Sequence, residues 1–122
     1  MAMDDFKVMA RLLAAIKASE EQRSFSPSMV SAKVLKTTEE KRDGLAVKLQ
    51  KDGYIDGLFV VDDIDNMPYP VVMWGSSNPT ITIKGLEFIQ TSKPLRKAGA
   101  ELKSMGEDVA AKAIAATISG MF

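Results

Sequence analysis

The apolar positions of the chain repeat with a helical period up to about residue 52 and then change character. Phe6, Met9, Leu13 and Ile16 recur at spacings of three and four, with Leu12 widening the stripe and Lys7, Arg11 and Lys17 off it. This pattern predicts an amphipathic helix running to about Ser19. Asp4 and Asp5 suit its start, because carboxylates stabilise the positive end of a helix dipole. A polar connector, SEEQRSFSPS, follows. Ser26 as cap and Pro27 in the first turn then predict a short second helix through Met29, Val30, Ala32 and Val34. TTEEKRDGLAVKLQKDG predicts a third. It has a threonine cap at Thr37 or Thr38, acids in the first turn, Lys48 and Lys51 in the last, and Gly53 where a left-handed residue ends a helix. Gly44 inside it costs about 1 kcal/mol relative to alanine.

In LQKDGYIDGLFVV the helical pattern gives way at once to aromatic and β-branched residues. YIDGLFVVDD predicts a strand, IDNMPYP a turn and VVMWG the returning strand. Gly57 permits a bulge or a close backbone approach. SSNP is another break, and Thr82 caps a helix reaching about Ser92, with Gly85 placed for close packing. The remainder, PLRKAGAELKSMGEDVAAKAIAATISGMF, predicts a long helix whose seam is Leu95, Ala98, Leu102, Met105 and Val109. Three helices, a two-stranded hairpin and a fourth helix are the order of a winged helix-turn-helix. The predicted fold is therefore α+β, with a winged-helix domain over residues 1–92. Residues 93–122 add a long C-terminal amphipathic helix for packing or oligomerisation.

Two stretches carry a family resemblance. GYIDG, from Gly53 to Gly57, and ITIKGLEFI, from Ile81 to Ile89, resemble the YjcQ-like proteins of bacterial and prophage genomes. The second has an apolar residue, Thr, one spacer, Lys-Gly and a pair of large apolar residues. The resemblance covers about residues 5–92 and implies a winged-helix fold and a phage association. It implies no activity and carries over no binding residue.

Composition narrows the chemistry. A chain of 122 residues is the size of one domain. It has no cysteine, which removes disulfides, thiolate nucleophiles and zinc–sulfur sites. It has no histidine, which removes the usual general base near neutral pH and the commonest metal ligand. No Gly-rich phosphate loop or GxGxxG after a strand is present. These features predict a protein that is not an enzyme and holds no cofactor or metal. Asp62, Asp63 and Asp65 cluster at the turn, but the twelve-residue calcium loop with its acidic last ligand is missing. No apolar run reaches the ~18–20 residues that span a bilayer, and acids stand where a secretory signal would carry bases. A cytoplasmic protein with no membrane association is predicted.

The formal charge is zero but unevenly spread. Residues 37–66 carry four bases against eight acids, whereas 1–36 carry six against four and 93–122 five against three. In a helix-turn-helix protein the second helix of the motif enters the major groove. Here that is the helix from about Thr38 to Asp52. With Leu45 and Leu49 inward, its opposite face is predicted to present Glu40, Asp43, Val47, Gln50 and Lys51, with Gly44 at the border. Gln50 suits adenine and Val47 a thymine methyl. Two acids against one base oppose the electrostatic attraction behind non-specific binding. Lys33, Lys36, Lys41, Arg42 and Lys48 can still reach the DNA backbone from the sides. The candidate DNA-binding set is thus Lys33, Lys36, Lys41, Arg42, Val47, Lys48, Gln50 and Lys51. Tyr69 and Trp74 can stack on bases, or pack against the sheet or a partner.

The seam Leu95, Ala98, Leu102, Met105 and Val109 either docks on the first helix or pairs with a second copy as a two-fold dimer. Two functions follow. One is a phage-type winged-helix protein that binds double-stranded DNA as a regulator. The alternative is a protein–protein interaction module of prophage origin with no DNA binding, which the acidic helix face and wing favour.

Overall fold

The computed structural model describes residues 3–61, 69–105 and 112–122, and shows an α+β arrangement of six α-helices and two small antiparallel sheets. Its centre is α1 (Met3–Gln22), which packs against other helices and strands around most of its circumference. Met9, Leu12, Leu13 and Ile16 are buried as their periodicity predicts and Phe6 is partly buried, while Val8, outside the predicted stripe, is buried as well. Ala10, Ala14, Ala15 and Ala18 are buried too, so the helix has more than one core face. Alanine adds little to a periodic stripe, yet it lets a neighbouring helix approach closely. Burying one leucine or isoleucine contributes about 1.5–3 kcal/mol, and Leu12, Leu13 and Ile16 are all fully covered.

The second helix differs from its expected form. Pro27–Val30 is a single 3₁₀ turn, and α2 (Ala32–Leu35) is a separate turn of α-helix. Ser26 makes no capping bond. Ser31 does so instead, its hydroxyl accepting from the Val34 N–H at 3.2 Å, and its extended backbone interrupts the helix. Lys36 then takes the left-handed conformation (φ 55°). The third helix, α3 (Glu39–Lys51), begins on Thr38, whose hydroxyl accepts from the Lys41 N–H at 3.2 Å. Gly53 follows with φ 84°.

The hairpin after α3 is one long excursion with a break in it. β1 (Ile55–Asp56) pairs with β4 (Thr80–Ile81), and β2 (Val60–Val61) pairs with β3 (Val71–Val72). The registers are Ile55 opposite Ile81 and Val60 opposite Val72. The expected partner of the whole first strand, VVMWG, therefore pairs only with its second half. β4 is a strand the sequence pattern conceals behind SSNP. Backbone groups in the break are still satisfied, as burial requires. The Asn78 N–H donates to Gly57 O at 3.0 Å, and the Met73 N–H to Phe59 O at 2.8 Å. The Phe59 N–H donates to Ser77 Oγ at 2.9 Å. Leu58 is held by the Gln50 amide, which accepts from its N–H at 2.8 Å and donates to its carbonyl at 3.4 Å. Gly57, at φ 93°, sits so close to Asn78 O that a side chain would collide with it.

α4 (Ile83–Thr91) starts on Thr82, which accepts from the Gly85 N–H at 2.9 Å and donates to Gly53 O at 2.6 Å. Among the described residues of 93–122 there are two helices that do not run on as one: α5 (Lys93–Met105) and α6 (Lys112–Met121). Both pack on α1 and on each other, and the Phe122 ring lies over Gly99. A continuous helix would separate those two residues by about 35 Å, so α6 runs back along α5. Leu95, Leu102 and Ile118 belong to the same core as α1 and α3.

The approach of α4 to the start of the sheet leaves no room for a side chain at Gly85, where a methyl would run into the Tyr54 carbonyl. Gly85→Ala is expected to destabilise the protein by about 1–3 kcal/mol, measured by urea denaturation. Gly44→Ala, with open space around it, is expected to stabilise by up to about 1 kcal/mol.

Candidate nucleic-acid interface

Asp43 decides which face of α3 meets solvent. The periodicity predicts it outward, but it is 3% exposed. Its Oδ2 accepts from the Val72 N–H of β3 at 3.1 Å, and its Oδ1 from the Trp74 indole N–H at 2.9 Å. Arg42 Nε donates to the same Oδ1 at 2.8 Å and its Nη1 to Val30 O at 3.2 Å. The guanidinium also stands 5.5 Å from the centre of the Trp74 ring, whose centre is 6.2 Å from that of Phe25. One carboxylate therefore ties α3 to the returning strand and, through Arg42, to the turn before α2.

This contact covers a second face of α3. Val47, expected at a thymine methyl, is 6% exposed and lies in the core. Gln50, expected at adenine, is committed to both backbone groups of Leu58. Arg42, expected at a phosphate, is occupied by Asp43, Val30 and Trp74. These three placements correct the sequence reading. It gives α3 one core face centred on Leu45 and Leu49, whereas the hairpin folds back on the helix and covers another.

What remains outward on α3 is Glu40, Lys41, Lys48 and Lys51, with half-buried Gly44 among them, Asp52 just past the end and Glu39 exposed at the first turn on another side. The exposed face is rotated by about a quarter turn from the expected one, and it is richer in cations. Lys41 lies 2.9 Å from Asp5 Oδ1 of α1, a buried oxygen that has no hydrogen-bond partner besides this ion pair. The Asp5 carboxylate raises the Lys41 pKa, through hydrogen bonding first and charge second, so its ammonium stays charged throughout the neutral range. Lys48 and Lys51 pair with no carboxylate among the described residues. Lys84, which the sequence reading did not select, joins them: its side chain lies beside Gly53 and its ammonium 5.4 Å from the centre of the Tyr54 ring. Tyr54 stacks on Phe88 at 4.1 Å. Lys33 and Lys36 are exposed on and just after α2.

The face supplies point positive charges and, at Gly44, a position where a methyl group would meet no atom within 4 Å. Trp74 is 6% exposed and packs within the fold, so it is no free stacking platform. Asp62, Asp63 and Asp65 lie outside the described residues, and among those described no group of three or more acids is placed to hold a metal ion. No described helix is long and apolar enough to cross a membrane.

The described part of the oligomerisation seam is used within the chain. Leu95, Ala98 and Leu102 are fully buried, on the helix that packs against α1, and so are not available to a second copy. The Met105 side chain and Val109 lie outside the described residues. Compared with known proteins, the chain matches no family model, no curated protein and no solved structure.

Removing Asp43 would leave two buried N–H donors and a mostly buried guanidinium without their acceptor. Asp43→Ala is expected to cost about 3–5 kcal/mol by urea denaturation. Asp43→Asn is expected to restore only part of that, because its amide turns a donor toward donors.

Proposed function

We propose that the chain is a non-enzymatic, cytoplasmic winged-helix protein that binds double-stranded DNA through the outward face of α3. The carrying observation is the withdrawal of Asp43 into the core, which leaves Lys41, Lys48 and Lys51 around Gly44, with Glu40 and, just past the helix end, Asp52 as the acids beside them. Lys84 extends this cationic path past the end of α3. The helix–helix–helix–hairpin–helix order supports the winged-helix reading, as do the two stretches that resemble YjcQ-like proteins, with the phage association they imply.

The chemistry of the face sets the kind of binding. Lysines release counterions from phosphates and carry little sequence information. The two side chains suited to reading base edges, Val47 and Gln50, are engaged inside the fold. Gly44 permits close approach to the sugar–phosphate surface. The reading is therefore of duplex binding dominated by backbone contacts, with weak sequence preference.

A second reading, a protein-interaction module without DNA binding, is favoured by one feature. Phe59 (56% exposed) and Met73 (44%) stand side by side across the hairpin, joined by the Met73 N–H to Phe59 O bond. Exposed aromatic and methionine side chains are what protein interfaces enrich.

Fluorescence anisotropy of a random-sequence duplex at low and moderate salt separates the two. Binding at about 10⁻⁴–10⁻⁶ M near physiological salt, tightening as salt falls, is expected. Lys48→Glu/Lys51→Glu should reduce the salt slope by about two. No binding even at low salt would favour the protein-interaction module.

A further inference from the structure

α5 carries a second cationic surface, opposite its buried seam. Lys93, Arg96, Lys97 and Lys103 are all exposed, as are Ala100 and Ser104 among them. At about 100° per residue the four cations fall within an arc of roughly 120°, centred away from Leu95, Ala98 and Leu102. No acid lies in that arc. Glu101 sits on its flank and is engaged by Lys7 of α1 at 3.4 Å. No carboxylate among the described residues pairs with any of the four cations. In a chain of zero formal charge this is a strong local excess.

The composition of the face selects among anionic partners. A protein interface centres on large apolar or aromatic side chains, and this arc exposes none. Lying in a membrane surface needs a free apolar face, and that of α5 is fully buried at Leu95, Ala98 and Leu102. A row of cations with small residues between them fits a phosphate backbone. Lys93 to Lys103 spans about 15 Å along the helix, close to the axial rise of four nucleotides in one strand of a duplex.

Two ion pairs place this face relative to α3. Asp5 of α1 holds Lys41 of α3, and Lys7 of α1 holds Glu101 of α5. Residues two apart on a helix point about 200° apart around it. α3 and α5 thus meet α1 from different sides, each with its own cationic surface.

We infer that the outward face of α5 is a second phosphate-backbone surface, and that one molecule bridges two DNA duplexes, one on α3 and one on α5. The inference rests on the reading of α3 as a duplex-binding face.

The test is capture of a dye-labelled duplex by an immobilised duplex at low salt, alongside anisotropy of a single duplex. Wild-type protein should retain the dye-labelled duplex. Arg96→Glu/Lys97→Glu should lower that retention by about tenfold while still binding one duplex with at most about a twofold loss of affinity. Both side chains are exposed, so a wild-type melting curve is expected, and Arg96→Gln/Lys97→Gln provides a milder second variant. Single-duplex binding without capture, or capture that survives both α5 variants, would overturn the bridging role and leave the α3 reading standing. Absence of any duplex binding by wild-type protein would overturn both. α5-dependent binding to phosphatidylserine vesicles without duplex capture would assign the face to a lipid surface and overturn it as well.

Discussion

Asp43 accepts three hydrogen bonds from three different groups: a strand amide, an indole and a guanidinium. A carboxylate buried without such donors would be strongly destabilising, and each charge-assisted bond contributes about 1.5–3 kcal/mol. The contact joins elements far apart in sequence, since Val72 and Trp74 lie 29 and 31 residues from Asp43. Arg42 extends it to the Val30 carbonyl, and the Trp74 ring lies near both that guanidinium and Phe25. The hairpin would otherwise be two short sheets with a break between them, and two-stranded ribbons alone are marginal in water. Its attachment to α3 through Asp43 and Gln50 is what gives it a fixed position.

The same attachment decides what α3 offers to a partner. With the hairpin against it, the helix loses one acid and three candidate contact residues from its surface and keeps a lysine-rich side around Gly44. Structure and proposed function are linked at that point. Gln50, which would have read adenine, holds Leu58 of the hairpin, and Val47 lies in the core, so the groups left free are suited to phosphates. The cationic side of α5 adds to this picture, because α5 is fixed on α1 by the fully buried Leu95, Ala98 and Leu102 and its remaining face is set outward.

Much of the backbone was legible because its signals are local. Thr38 and Thr82 cap the helices they were expected to cap, and Gly53, Gly57 and Gly85 occupy positions that exclude a side chain or need a positive φ. The seam of α5 was legible from its spacing, though spacing alone does not say whether its cover comes from the same chain. The long-range contacts were hidden. An aspartate in a charged stretch gives no sign that an indole 31 residues later will bury it. β4 is two residues long and follows a proline, so no alternating pattern marks it. The several core faces of α1 depend on alanines, whose burial is decided by what packs on them. Nor does the sequence pattern show α6 turning back along α5, which follows from Phe122 resting on Gly99.

The position of the hairpin and the outward face of α3 both depend on Asp43 holding Trp74 in the folded state. Trp74 is the only tryptophan, so its indole N–H gives a single resonance. Native-state hydrogen exchange of that proton, followed by NMR with the Val72 amide beside it, is the direct measurement. Both are expected to exchange only through opening that approaches global unfolding, with protection free energies near the full stability of the protein. Rapid exchange of the indole proton at the rate of an exposed tryptophan would show the contact to be absent, and with it the rotation of the α3 surface.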